Sequence, residues 1–254
     1  MFPIKDENPT FSTPIVTILL IAINVVVFMF QLSKSGEEVE EARFFVCNAS
    51  IPYEVTHAER IADAQRRGVV FEDRIDNAFA TLERQSCPDK NVWLSIVQSM
   101  FLHGSILHIA GNMLFLWVFG NNVEDRLGKL KYIFFYLLSG IAATYAQSYV
   151  FPSSATPLVG ASGAIAGILG AYLLMFPRAR IKSLVILVIF ITMIELPASL
   201  VIGLWFVLQL VSGVGSITAD TGVAYMAHIG GFLAGMLLLL VFRPKPVEPV
   251  ASPY

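Results

Sequence analysis

The sequence predicts an all-α, polytopic membrane protein built from six apolar helices. Of its 254 residues, 56% are hydrophobic and only 14% are charged, and the mean hydropathy is +0.68. These values are too apolar for a soluble domain of average composition. The apolar runs are about 20 residues long, which is the length that a helix needs to cross a bilayer. Their predicted limits are 14–33, 98–120, 132–150, 162–177, 197–214 and 222–242.

The first span is expected to remain in the protein as a membrane helix. A cleaved signal peptide is the alternative interpretation. Against it, Lys5 is the only basic residue ahead of the run, and no small-x-small cleavage motif stands before Lys34. The run is also long for the apolar part of a signal peptide.

The segment 34–92 is predicted to be a solvated extracytoplasmic loop. It holds 20 of the chain's 36 charged residues. Apolar residues at helical spacing within 54–84 predict one or two amphipathic helices, broken near Gly68. Both cysteines, Cys47 and Cys87, lie in this loop. They form a disulfide if the compartment is oxidising, and otherwise they are two free thiols.

The stretch before the fifth span has two interpretations. Residues 183–213 are long for one crossing and short for two crossings with a turn, and Glu195 and Pro197 interrupt them. We predict one net crossing. Residues 183–194 are then an apolar approach near the membrane surface or the lower part of a tilted helix. Two crossings would reverse the sixth span.

The distribution of basic residues predicts the orientation of the chain. With six spans, every Lys and Arg outside the first loop falls on one side, which is the cytoplasmic side by the positive-inside rule. Both termini are therefore expected in the cytoplasm, and the expected location is a bacterial plasma membrane. The predicted parts are a cytoplasmic N-terminus with the first helix (1–33), the extracytoplasmic loop (34–92), a core of five helices (93–243) and a cytoplasmic tail (244–254).

A serine stands at the predicted start of the fourth span. The sequence LVGASGA places Ser162 between Gly160 and Gly163, two residues that support a sharp turn and a close backbone approach. Such a serine is either a nucleophile or a simple helix N-cap. The depth of the serine distinguishes the two. A simple N-cap is expected at the membrane surface, whereas a serine deeper in the bilayer and level with other polar side chains is expected to be functional.

Four polar side chains are predicted to lie at similar depth. Helical rise places Ser162 roughly 24 Å and His228 roughly 22 Å from the basic residues that mark the cytoplasmic side. The same arithmetic gives roughly 27 Å for His108 and roughly 21 Å for Asn112. Polar groups are costly inside a membrane and usually serve a function.

Their chemistry fits acyl transfer. A neutral His228 near Ser162 can take the proton of the hydroxyl, which makes a Ser-His dyad. The Ser162 backbone N–H, the Asn112 amide and the His108 ring can stabilise an oxyanion. Metal binding is the competing use, but His103 and His108 do not share a helix face and Asn112 is a poor ligand. We expect neither a metal nor a cofactor.

Four sequence elements together resemble the rhomboid family of intramembrane serine proteases. Each is weak alone, but all four occur in the order and at the depths that the family shows. They are HGSILHIAGN at 103–112, the glycine- and glutamate-containing stretch 120–128, GASG at 160–163 and AHIGG at 227–231.

The resemblance implies a role for each matching residue. Ser162 resembles the nucleophile and His228 the general base, while His108 and Asn112 resemble the side chains of the oxyanion site. His103 resembles a supporting residue that organises hydrogen bonds and water at the top of the second helix. Some members carry a tyrosine that stacks on the histidine. Ala166 stands at that position here, so the support of the histidine has to come from elsewhere.

The resemblance also implies an intramembrane serine endopeptidase, acting through an acyl-enzyme on transmembrane or membrane-anchored protein substrates in the lipid bilayer. Substrates would enter beside the second and fifth helices, with the loop 213–222 as a movable cap. One alternative is a catalytically inactive rhomboid-like membrane binding protein or chaperone. A transporter is another, but the predicted spans lack the charged residues and the paired inverted halves that are typical of transporters. The net charge of −2 suggests no nucleic-acid partner. The oligomeric state stays open.

Overall fold

Helices dominate the structure, as predicted. The computed structural model describes residues 2–34, 36–71, 73–187, 190–216, 222–244 and 246. Within these ranges α1, α7, α8, α10 and α11 are long and apolar enough to cross a membrane, and α9 is a shorter apolar helix. The helices are α1 (Ile15–Lys34), α2 (Glu38–Asn48), α3 (Pro52–His57), α4 (Ile61–Arg66), α5 (Arg74–Ser86), α6 (Val92–Ser99), α7 (Ile106–Leu127), α8 (Lys129–Val150), α9 (Ser162–Met175), α10 (Ala198–Ser216) and α11 (Tyr225–Phe242).

Parts of two predictions lie outside the described residues. Most of the predicted tail 244–254 does so, and so does the segment 217–221 of the predicted cap 213–222. The described part of that cap consists of the last turn of α10, which ends at Ser216, and of Gly222.

The apolar stretch before α10 is a β-hairpin, so the alternative that residues 183–194 are the lower part of a tilted helix is wrong. Strand β2 (Arg180–Leu187) pairs antiparallel with β3 (Phe190–Pro197), and β1 (Phe2–Asp6) pairs with the other edge of β2. The stretch is rich in β-branched residues, which favour strands. Because a hairpin reverses the chain, α10 starts from the side on which α9 ends.

The second membrane helix begins later than predicted. Residues 98–105 do not extend it: α6 ends at Ser99, and α7 begins only at Ile106. The side chain of Ser105 accepts a hydrogen bond from the His108 N–H at 3.1 Å and so caps the first turn of α7. This start places His108 and Asn112 in the first two turns of α7 and leaves His103 before the helix.

Helix α9 lies inside the bundle and contacts α11 backbone to backbone. All residues from Gly163 to Tyr172 are buried. A Cβ atom placed on Gly235 would stand 2.1 Å from the Gly167 carbonyl oxygen, and one on Gly231 would stand 2.1 Å from that of Gly163. Small residues at these positions therefore allow the two helices to touch, as the spacing of the glycines predicts.

A buried carboxylate joins the start of α1 to the end of α7. Glu124 accepts hydrogen bonds from the backbone N–H groups of Val16 and Thr17 at 3.0 and 2.7 Å, and from the Thr17 hydroxyl at 2.8 Å. Two of the donors that a helix N-terminus leaves unpaired are thereby satisfied.

The first loop folds into a small helical unit, α2 to α5, which we call the loop subdomain. Within 54–84, where one or two helices were predicted, three form in whole or in part, α3, α4 and α5, and Gly68 follows α4 with a positive φ, consistent with the predicted break. A disulfide joins Cys47 to Cys87. Lys90 is buried between two acidic residues, with its Nζ atom 2.7 Å from Glu54 and 3.5 Å from Glu83.

The loop subdomain packs on the loop between α8 and α9. The N–H of Leu158 donates to the carbonyl of Ser50 at 2.7 Å, and the N–H of Tyr53 donates to the carbonyl of Ser154 at 3.0 Å. Ala155 is fully buried in the apolar core of the subdomain. The subdomain therefore contacts the segment that leads directly into α9.

The contact between α9 and α11 makes Gly235→Ala destabilising. The added methyl group meets a backbone oxygen that cannot rotate away, so we expect a loss of about 1–3 kcal/mol of unfolding free energy. Thermal unfolding in detergent measures the change. Gly203→Ala in α10 is the matched control, because a Cβ there has no neighbour within 4 Å, and its stability should be unchanged or higher. Equal melting temperatures for both variants would contradict the packing argument.

The buried Glu54 predicts a loop subdomain whose stability falls as the pH rises from the acidic range to about 8. Burial raises the pKa of Glu54 to about 8, with Glu83 adding to the effect and Lys90 opposing it. The folded state then holds a proton that the unfolded state releases, so stability falls as pH rises from about 4.5 to about 8. Hydrogen exchange of the subdomain amides measures this opening. Glu54→Gln should remove most of the pH dependence, and an unchanged dependence in that variant would assign it to another group.

Candidate active site

The segment before α9 places Ser162 at the first position of that helix. This segment is held from two sides by backbone hydrogen bonds. The N–H of Leu158 donates to the Ser50 carbonyl of the loop subdomain, and the N–H of Gly160 donates to the Ser99 carbonyl at 2.9 Å. Gly160 has a φ of +126°, and a Cβ there would stand 2.8 Å from Nε2 of His108. Both the conformation and the space therefore require glycine.

His228 meets Ser162 across the α9–α11 contact. Its Nε2 atom lies 2.8 Å from the Ser162 Oγ atom, which is hydrogen-bond distance. Both side chains are half-buried, and His228 stands in the first turn of α11. Next to this pair, the backbones of α9 and α11 touch at Gly163 and Gly231. The predicted nucleophile and base are therefore adjacent.

The other side of the His228 ring contacts α10. Gln209 Oε1 lies 2.8 Å from His228 Nδ1. The Trp205 ring lies 6.1 Å from the imidazole, centroid to centroid, and is tilted by 38°. Tyr225 of α11 meets the imidazole edge-on at 6.2 Å. Gln209 and Trp205 were not predicted, and they supply contacts to the imidazole that Ala166 of α9 does not.

Two residues of α7 face the same cavity. His108 and Asn112 stand one turn apart and line, together with Ser162 and His228, a cavity of about 1000 Å³. The Nδ2 atom of Asn112 is buried, and no described residue accepts a hydrogen bond from it. It is a donor that remains available inside the cavity.

The ring of His108 also presents a donor. Its Nδ1 atom accepts a hydrogen bond from the Gly104 N–H at 3.4 Å. In the neutral ring the proton then sits on Nε2, the atom that approaches Gly160. The site therefore brings His108 and Asn112 to the cavity of Ser162 and His228 as hydrogen-bond donors.

His103 lies outside the cavity. It is fully buried, and its ring meets those of Phe28 and His108 edge-on, with centroids 6.5 and 5.0 Å away. Burial, with a smaller effect from His108, lowers the pKa of His103 to about 4. The side chain of Gln31 in α1 makes two hydrogen bonds to the backbone of His103. It accepts from the His103 N–H and donates to the His103 carbonyl. The geometry therefore gives His103 a place in the support of α7.

The loop subdomain completes one wall of the cavity. Pro52, Asp73 and Asp76 line it from outside the helix bundle. Asp76 accepts a hydrogen bond from the Ala155 N–H at 3.0 Å and one from the Thr156 hydroxyl at 3.3 Å. Acidic side chains of the loop subdomain therefore border the cavity. Among the described residues there is no cluster of three or more His, Cys, Asp or Glu side chains suited to a metal ion.

Several known proteins with similar sequences carry rhomboid in their names. The chain is 32% identical over 149 residues to the mitochondrial Rhomboid protein 1 of Saccharomyces cerevisiae, covering 57% of this chain and 40% of that protein. It is 33% identical over 143 residues to the Rhomboid protease GluP of Bacillus subtilis, covering 56% and 25%. It is 30% identical over 169 residues to RHOMBOID-like protein 5 of Arabidopsis thaliana, covering 66% and 50%.

The chain thus spans half or less of the length of these relatives. The Rhomboid domain itself matches residues 90–245, which is more than half of the chain and includes α6 to α11. With its mostly helical, multi-pass membrane architecture, this chain belongs to the rhomboid family.

Proposed function

We propose that the protein is an intramembrane serine endopeptidase that cleaves transmembrane or membrane-anchored proteins. The observation that carries the proposal is the 2.8 Å contact between the Ser162 hydroxyl and His228 Nε2, in a cavity that is also lined by Asn112, whose Nδ2 donor has no acceptor among the described residues. A relative that is similar over 143 residues is named a rhomboid protease. No carboxylate takes part in the pair, so the catalytic unit is a dyad of serine and histidine.

In the first step His228 acts as the general base. Its Nε2 atom takes the hydroxyl proton while Ser162 Oγ attacks the carbonyl carbon of the scissile peptide bond. The imidazolium then gives this proton to the leaving nitrogen, and an acyl-enzyme ester remains on Ser162. A water molecule, deprotonated by the same imidazole, hydrolyses the ester and regenerates the serine.

The oxyanion forms beside three donors. The Ser162 N–H belongs to the first turn of α9, where backbone N–H groups lack intrahelical acceptors. Asn112 Nδ2 and His108 Nε2 add two side-chain donors. In a cavity of low polarity, prearranged donors of this kind stabilise the transition state more than they stabilise the bound substrate.

The substrate has to reach the dyad as an extended chain. A membrane helix hides its peptide bonds inside its own hydrogen-bond pattern, so a locally unstable helix is the expected target. The cavity opens toward the loop subdomain, from where water for hydrolysis can enter. The disulfide and the charged surface of this subdomain support an extracytoplasmic position, with both termini in the cytoplasm of a bacterial cell.

Loss of either dyad residue should abolish cleavage. In proteoliposomes that contain a model single-span substrate, Ser162→Ala and His228→Gln should lower the cleavage rate by at least about 1,000-fold. Ser33→Ala, which changes an exposed serine of α1, is the matched control and should cleave like the wild type.

Each other outcome has a definite meaning. Equal cleavage by all variants would mean that a contaminating protease is at work. If none cleaves, a serine-reactive phosphonate separates two cases: labelling of Ser162 indicates an active protease with another substrate, whereas absence of labelling indicates an inactive rhomboid-like binding protein.

Asn112→Ala tests the oxyanion site. Because the amide acts on the charge that develops in the transition state, we expect kcat to fall about 100-fold with little change in KM. Trp117→Ala, at an exposed position of α7 that does not line the cavity, should leave both constants unchanged. A rise in KM without a change in kcat would instead assign Asn112 to substrate binding.

A further inference from the structure

One polar side chain of α10 reaches the catalytic histidine from the side opposite to Ser162. Gln209 stands in an otherwise apolar helix and is half-buried. A polar group in a membrane helix is costly unless it has partners. Its two partners are the Trp205 carbonyl, which accepts from Nε2 at 3.3 Å, and His228 Nδ1, which lies 2.8 Å from Oε1.

These partners determine how the amide is oriented. A carbonyl oxygen can only accept a hydrogen bond, so the NH₂ group of Gln209 has to face the carbonyl of Trp205. The oxygen of the amide therefore faces His228. This assignment follows from the hydrogen bonds and does not depend on telling nitrogen from oxygen by their positions alone.

The orientation of the amide in turn determines the tautomer of the histidine. An amide oxygen can only accept, so His228 Nδ1 has to carry the ring proton and donate it. In the neutral imidazole Nε2 is then an unprotonated acceptor. Nε2 is the atom that lies 2.8 Å from Ser162 Oγ. The ring is thereby held in the form that can remove the hydroxyl proton.

We propose that Gln209 is a positioning residue that holds His228 in its basic tautomer and in its orientation toward Ser162. The inference rests on the proposed function and extends the Ser-His dyad to a chain of Ser162, His228 and Gln209. A neutral amide fulfils here the orienting task that a carboxylate fulfils in a catalytic triad. It does so without placing a charge in a membrane helix, which would be costly.

The surroundings hold Gln209 in place. One turn earlier in α10, the Phe206 ring stacks on the Phe232 ring of α11, with centroids 4.2 Å apart. Trp205 packs on His228 itself. These two contacts between α10 and α11 therefore fix the distance between the helices at the level of the dyad. A shift of α10 away from α11 would remove the acceptor from Nδ1, so the basicity of the dyad depends on where this helix lies.

The test compares two variants of similar length. Gln209→Met removes the acceptor and keeps the shape, and Gln209→Glu keeps an acceptor and adds a carboxylate. Without an acceptor the imidazole can take the other tautomer and rotate, so for Gln209→Met we expect kcat to fall at least about tenfold with KM changed less than about twofold. Leu208→Ala, at an exposed position of α10, should match the wild type.

The pH profile separates positioning from a purely structural role. A carboxylate beside Nδ1 stabilises the imidazolium, so the acid limb of kcat/KM should move to higher pH in Gln209→Glu. The titratable neighbours that could affect the same limb, His108 of α7 and Tyr225 of α11, are unchanged in this variant. A structural hydrogen bond would change the melting temperature but leave this limb in place.

A readout without substrate keeps the two proposals distinguishable. In ¹⁵N-histidine-labelled protein, the His228 resonances, identified by their absence in His228→Gln, should report a protonated Nδ1 in the wild type and a mixture of tautomers in Gln209→Met. Wild-type kcat and pH profile in Gln209→Met, or an unprotonated Nδ1 in the wild type, would overturn the role of Gln209. Absence of both cleavage and phosphonate labelling of Ser162 in the wild type, together with a protonated Nδ1, would overturn the proposed protease and leave the positioning of His228 intact.

Discussion

The backbone contact between α9 and α11 is the constraint on which the candidate site depends. Lipid chains are as apolar as the helices, so burial alone does not drive two membrane helices together. At Gly167, Gly231 and Gly235 the missing side chains let the two backbones touch. This close approach brings Ser162 and His228, one from each helix, to hydrogen-bond distance. Any larger side chain at the contact would separate the two groups before it affected either of them directly.

The loop subdomain provides a second constraint from outside the bundle. Two backbone hydrogen bonds hold the segment before α9 on both sides. The N–H of Leu158 donates to the Ser50 carbonyl of the subdomain, and the N–H of Gly160 donates to the Ser99 carbonyl. The subdomain is itself closed by a disulfide and by the buried ion pair of Lys90 and Glu54. A unit outside the helix bundle thus supports the start of α9, where Ser162 stands. In this respect the long first loop is part of the architecture of the site.

Particular residues explain which features were predictable. Ser162, His228, His108 and Asn112 stand out as polar groups in apolar spans, and the structure brings them to one cavity. Gln209 meets the same criterion but was missed, because the limits of the fifth span were ambiguous and gave no reliable depth. The hairpin of β2 and β3 was missed for a similar reason. A short apolar run is compatible with a helix or a strand, and only the pairing of β2 with β1 and β3 in the folded protein shows that it is a strand.

The sequence by itself determined the class of protein, the approximate spans and the layer of polar side chains. Each of these depends on the composition of single segments and on the cost of placing them in a membrane, and both can be read along the chain. The tertiary structure alone decided the 2.8 Å contacts of His228, the tautomer that they impose and the support of α9 by the loop subdomain. These features join residues that are far apart in the chain, so their geometry depends on how the helices pack and is absent from any local pattern.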